Sequence, residues 1–143
     1  MKWFLSALLT LAAFGHAVVR PPQSNAGQTE QYTLRVPNEK QILTTAIEIT
    51  FPSEITVSTV NEKDGWTLAT SRDGQGKIVG AIWTGSLAPA ASVEFTFAAR
   101  NPNAPVTVEW RVIQTFQDSS KAEWTGSQGS PTPASRTVIL PAR

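Results

Sequence analysis

The sequence predicts an all-β chain: an immunoglobulin-like antiparallel β-sandwich, one domain after an N-terminal signal peptide. Three observations carry this. Short β-branched and aromatic runs alternate apolar and polar residues with a period of two. Pro, Gly and Asn clusters break those runs at regular spacing. No segment keeps a helical period. About eight or nine short strands in such a pattern suit a sandwich, and with no cysteine in the chain only the architecture of the immunoglobulin domain is implied, not its disulfide.

Residues 1–15 have the layout of a secretory signal. Lys2 supplies charge near the start, residues 4–14 are mostly Leu, Ala and Phe, and the small residues Ala13 and Gly15 stand three and one before a cut. The apolar run is shorter than the about 20 residues needed to cross a bilayer. A second possible cut, after Ala17, also has a small residue, Gly15, in the right place, and it would discard His16. No further hydrophobic stretch follows, so no membrane anchor is expected, and the compartment is periplasmic or extracellular.

Residues 17–20 open the domain, residues 16–143, as a short strand closed by Pro21 and Pro22. A polar turn then runs to Gly27. Residues 31–36 alternate, with Tyr32, Leu34 and Val36 on one face, and Pro37 ends the run. Residues 46–51 repeat the pattern with Ile47, Ile49 and Phe51 inward. Residues 55–60 form another β-branched run, ending in the turn at Gly65. Residues 66–71 and 77–83 flank a hairpin loop over 72–76. Residues 93–97 alternate cleanly before the turn at Asn101, Pro102 and Asn103. Residues 106–116 are the longest strand, with Val106, Val108, Trp110 and Val112 on one face. Residues 122–124 follow the turn at Asp118. Residues 126–133 are a Gly/Ser/Pro loop, and 137–140 read as a last edge strand or an ordered tail within a loosely ordered stretch, 126–143.

Composition excludes more chemistry than it suggests. Lys2 leaves with the signal, so the 11 acidic residues are matched by the remaining Lys and Arg, and no basic stripe points to nucleic acid or anionic lipid. With no Cys and one His, there is no thiol nucleophile, no Ser-His-Asp triad and no three-His or Cys-rich zinc site. No Gly-Lys-Ser/Thr phosphate loop occurs. Glu48 and Glu94 sit at outward positions of alternating strands, where acids mark the solvated face. Enzymatic activity is not expected.

One metal site survives. A cut after Gly15 makes His16 the first residue, and its α-amine and Nδ1 can close a chelate on one ion, completed by a carboxylate. Nitrogen and oxygen donors without sulfur suit tetragonal Cu(II), which also heads the affinity order of divalent ions. These nitrogens bind only when deprotonated, so acid releases the metal. The other reading of His16 is a residue near a cleavage site with no function.

Several motifs in series resemble the YcnI-like family (DUF1775): residues 32–40 (Tyr-Thr-Leu-Arg-Val-Pro-Asn-Glu-Lys), Thr44-Thr45, Phe51-Pro52, Gly65-Trp66-Thr67, Trp83 with Gly85, Phe95-Thr96-Phe97, Gln114, and Glu123-Trp124-Thr125-Gly126. The resemblance runs from His16 to about Gly126. It implies an extracytoplasmic copper-binding protein, often encoded beside other copper-handling proteins, whose mature chain starts with histidine. It further implies one Cu(II) per chain, held by that histidine through amine and imidazole (a single-histidine brace), with a glutamate ligand and a tryptophan beside the site. His16 carries over directly. Glu39, in Val-Pro-Asn-Glu, matches the glutamate, with Glu30 as the alternative, and Trp124 matches the tryptophan. Trp66, Trp83 and Trp110 read as core aromatics, and Glu39 alone would also read as a solvated turn residue. Many members of the family carry a Pro-rich tail and a C-terminal anchor; the absence of both here implies a freely diffusing form. Ala17 stands where a β-branched residue is usual.

The expected role is copper carriage, buffering or homeostasis. A copper oxidase of the two-histidine brace type lacks its second histidine here. The alternative function is a metal-independent extracytoplasmic interaction module.

Overall fold

The computed structural model describes residues 15–143. The signal peptide expected over 1–15 therefore lies, apart from Gly15, outside the described residues. Eleven strands follow: β1 (Val18–Arg20), β2 (Gln23–Asn25), β3 (Thr29–Pro37), β4 (Thr44–Thr50), β5 (Thr56–Val60), β6 (Thr67–Arg72), β7 (Ile78–Leu87), β8 (Ser92–Arg100), β9 (Val106–Phe116), β10 (Lys121–Trp124) and β11 (Ser135–Leu140). No helix among the described residues is long and apolar enough to cross a membrane.

The strands form two sheets, as the alternating pattern requires. One has the order β1-β3-β8-β5. The other runs β2-β11-β9-β4-β7-β6, with β10 paired to β9. Inward residues of β3 and β8 (Tyr32, Leu34, Val36, Phe95, Phe97) face Ile47, Ile49, Trp83, Val108, Trp110 and Val112 of the other sheet, all fully buried. Aromatic rings fill the middle: Trp83 stacks on Phe95 at 4.3 Å, and Tyr32, Phe97 and Trp110 lie within 4.9–5.6 Å of one another. Trp83 and Trp110 are the core aromatics the pattern implies. Trp66 is half-buried and packs edge-on against Phe95.

The chain changes sheets at Pro21-Pro22. Neither residue has an N–H with which to continue the β1 ladder. Their carbonyls are taken by the opposite sheet, from the Thr137 hydroxyl and the Val138 amide. The chain then continues as β2, parallel to β11. β2 falls in the segment read as a polar turn, because its three residues carry no apolar alternation and owe their strand to this distant partner. β11 is likewise not an edge strand. It lies between β2 and β9 and buries Thr137 and Ile139, so the stretch 126–143 contains part of the core.

β4 carries a bulge between Thr44 and Ala46, seen against both neighbours. The extra residue turns the Thr44 side chain inward, three positions before Ile47 instead of two, and both are fully buried.

Gly85 explains its place beside Trp83. A Cβ there would lie 2.6 and 2.7 Å from two Trp66 ring carbons and 3.0 Å from the Gly65 carbonyl. The indole of Trp66 can come this close to the strand because position 85 has no side chain. Gly85→Ala is expected to cost about 1–3 kcal/mol and to expose Trp66, whereas Gly74→Ala, with open space at its Cβ, stays within about 0.5 kcal/mol. Urea unfolding and fluorescence emission check both.

The Tyr32 hydroxyl is buried and bonds the Asn101 side-chain carbonyl. Burial pushes its pKa from 10.0 up to about 12, with Ser24 and Asn101 pulling it down and the Glu30 charge pushing it up. The folded phenol thus holds its proton where the unfolded one has lost it. Below pH 10 this group leaves stability unchanged with pH. As pH climbs from 10 to 12, roughly 2–3 kcal/mol is lost. Unfolding measured across that range should show the decline in the natural chain and a flatter profile in Tyr32→Phe.

Candidate metal centre

β1 pairs with β3 so that Val18 faces Arg35, Val19 faces Leu34 and Arg20 faces Thr33. Carrying this antiparallel register two residues back sets His16 across from Pro37. The geometry agrees. The Gly15 amide donates to Glu39 Oε1 at 2.5 Å, and a Cβ on Gly15 would touch the Pro37 ring at 3.1 Å. Successive backbone nitrogens are at most about 3.7 Å apart, so the His16 nitrogen lies within about 6 Å of the same carboxylate oxygen. The His16 imidazole is exposed, and its centroid is 5.6 Å from the Trp124 ring at an interplanar angle of 46°. The fold therefore brings together His16, Glu39 and Trp124.

Each residue from Val36 to Lys40 has a distinct task. Val36 is buried and Pro37 ends the strand. Asn38, only 1% exposed, clamps the turn: its Nδ2 donates to the carbonyls of Ile42 and Leu87, and its Oδ1 accepts from the Lys40 amide. This leaves Glu39 exposed at the tip. Lys40 swings away, with Nζ 4.2 Å from the Phe116 ring centroid and bonded to Ser120 Oγ. Among the described residues the one ion pair is Arg136–Glu109, so Glu39 is in no ion pair there. An open groove of about 550 Å³ borders this turn, walled by Gly15, Arg35, Glu39 and Ala90–Ser92.

Trp124 sits on β10 across from Val112 and is buried, at 8% exposure. Its Nε1 donates to Gln114 Oε1 at 3.2 Å, and Gln114 Nε2 donates to the Pro37 carbonyl at 3.0 Å and to Thr44 Oγ1 at 2.8 Å. The ring that faces His16 is thus tied through one amide to the strand end that precedes Glu39.

Glu30 is not brought to this place. It lies within β3, across from Ala99, at the end opposite Pro37. Seven residues of extended strand put it about 23 Å away. Its carboxylate accepts from Ser24 Oγ and Gln28 Nε2.

Among the described residues no three His, Cys, Asp or Glu side chains gather. Side chains alone offer an imidazole and a carboxylate, both oxygen or nitrogen donors. Pattern reading assigns Gln114 no role. The signal was present nonetheless: 114 shares the inward row of Val108, Trp110, Val112 and Phe116, where a lone amide needs partners.

The family model described as Domain of unknown function (DUF1775) matches residues 16–142. Copper-binding protein CutI of Bacillus subtilis (strain 168) is 33% identical over 137 residues, covering 94% of this chain and 67% of the relative. A crystal structure from Nocardia farcinica, described as an immunoglobulin-like fold, superposes with a TM-score of 0.76 at 24% identity, over 87% of this chain and 98% of that one. A cohesin of Archaeoglobus fulgidus (TM-score 0.54, 9% identity, 87% and 90% covered) and the bacterial hydrophobin BslA (0.53, 15%, 90% and 97%) share the sandwich alone. The family match spans nearly every described residue and the CutI identity runs along the same length: the chain belongs to the DUF1775, or YcnI-like, family.

Proposed function

We propose that the chain, cut between Gly15 and His16, binds one Cu(II) outside the cytoplasm through the His16 amine, His16 Nδ1 and Glu39, with Trp124 beside the metal. The observation that carries this reading is the Glu39 carboxylate held against the backbone just before His16 while the His16 ring lies by Trp124. Cleavage removes Gly15, and with it the one hydrogen bond the Glu39 carboxylate makes among the described residues. It also turns the His16 amide into a basic amine. The copper-binding relative CutI and the family match starting at His16 support the same reading.

The role is carriage or buffering of copper in the periplasm or beyond the cell, with copper received from or passed to other copper-handling proteins. The proposed role is binding and not catalysis, as the copper-binding relative suggests. With no sulfur donor, the site favours Cu(II) over Cu(I), and reduction is the release step.

The test uses protein whose first residue is His16, titrated with Cu(II) and followed by EPR. One equivalent should bind with a tetragonal nitrogen and oxygen signal. His16→Ala, or a chain that keeps Gly15, should lose more than about 100-fold in affinity, and Glu39→Gln about 10–100-fold. Glu30→Gln should bind as the natural chain does. Unchanged binding in His16→Ala overturns the proposed ligands, and a natural chain that binds no Cu(II) leaves the metal-independent interaction module as the reading.

Release should follow two routes. Ascorbate with a Cu(I) chelator should strip the metal within the mixing experiment, while the chelator without reductant leaves it bound. Lowering the pH should also release it, because amine and imidazole bind only without their protons. Cu(I) held as tightly as Cu(II) in competition would contradict the release step.

A further inference from the structure

We propose that Gln114 is a positioning residue for the copper site, fixing Trp124 and the Glu39 turn relative to each other; this rests on the copper reading above. Gln114 is a neutral amide in an apolar row, 1% exposed between Val112 and Phe116. A side chain that only filled this space would be Leu or Met, since a buried amide without partners costs about 1–3 kcal/mol. Gln114 is instead fully used. Both hydrogens of Nε2 are donated, to Pro37 O and Thr44 Oγ1, and Oε1 accepts from Trp124 Nε1.

Those partners fix the amide's orientation. Turned over, it would set its NH₂ against the Trp124 N–H and its oxygen against the Pro37 carbonyl. A rigid, singly oriented amide therefore joins three elements: the end of β3, the bulged start of β4, and β10. The β4 bulge serves the same purpose, because it turns Thr44 inward to meet Nε2. Two of the joined elements carry the site. Pro37 is two residues before Glu39, and the indole held at Nε1 is the ring against His16. Among the described residues Gln114 makes no hydrogen bond to His16 or Glu39, so its effect on the metal passes through the spacing of the two walls.

The test compares Gln114→Met, which keeps length but no polar atom, with Tyr32→Phe, which removes a comparable buried hydrogen bond five residues up β3 from Pro37. In metal-free protein, the ¹H–¹⁵N peaks of Trp124 Nε1 and of the Glu39 amide should move together in Gln114→Met and stay in Tyr32→Phe. In copper-loaded protein, Gln114→Met should lose about 10–100-fold in Cu(II) affinity with the same number of nitrogen ligands but shifted parallel EPR features. Tyr32→Phe should keep both. Should Gln114→Met not fold, Gln114→Glu retains an acceptor for Trp124 and, protonated in this buried row, keeps one of the two donors. The Trp124 peak should then hold while the Glu39 peak moves. A Glu39 peak unmoved by these substitutions, or affinity within twofold of the natural chain, overturns the role of Gln114. Failure of the natural chain to bind copper overturns the copper reading alone, because the metal-free peaks report the coupling independently.

Discussion

Three residue pairs, Val18 with Arg35, Val19 with Leu34 and Arg20 with Thr33, decide where the first residue of the domain lies. Everything at the candidate site follows from that register. A slip of one residue would turn Ala17 and Val19 outward and shift His16 along the strand by about 3.3 Å. Three pairs are few, and the other sheet reinforces them. The Val19 amide donates to Ser135 Oγ, and the carbonyls of Pro21 and Pro22 are held by Thr137 and Val138. Ala17 and Val19 are each 1% exposed, so a slip also brings apolar surface into water. The last strand of the fold thus pins the first, and the position of a terminal histidine becomes a property of the whole sandwich.

Polar groups inside the sandwich gather at two ends. At one, Tyr32, Asn101 and Ser24 bond in series and tie β2 and its following turn to β3 and β8. At the other, Gln114, Thr44, Asn38 and Trp124 hold the ends of β3, β4, β7 and β10. Between them the core is aromatic and aliphatic apart from Thr137, whose hydroxyl accepts from Trp110 Nε1. This division suits a protein whose chemistry lies at one rim: apolar packing supplies the stability, and directional bonds are placed where exact spacing of groups matters. A metal site made from a terminus needs such support, because a terminal residue is held by neighbours on one side only.

Much of the fold was legible in the sequence. Alternation located β3, β4, β8 and β9 with their inward residues, and Pro and Gly marked their ends. β2 was hidden because Gln-Ser-Asn has no strand pattern and depends on a parallel partner from the far end of the chain. β11 was half seen for the same reason: a strand looks like an edge until its second neighbour is known. At the site, His16 was legible from its being the sole histidine at a signal boundary. Glu39 and Trp124 were singled out only through family resemblance. Choosing between Glu39 and Glu30 requires knowing which end of β3 meets the start of β1, and that is a matter of topology. Gln114 stood in plain view as a polar residue in an apolar row, but its three partners lie on three other segments.

The account turns on one covalent event. Until the bond between Gly15 and His16 is cut, the His16 nitrogen is an amide and cannot serve as a basic donor. The measurement that tests this most directly is the intact mass of the protein exported by its own signal. The account predicts a mass corresponding to a chain that starts at His16. A mass corresponding to a start at Val18 would contradict it, because the sole histidine of the sequence would have left with the signal and no nitrogen chelate would remain beside Glu39.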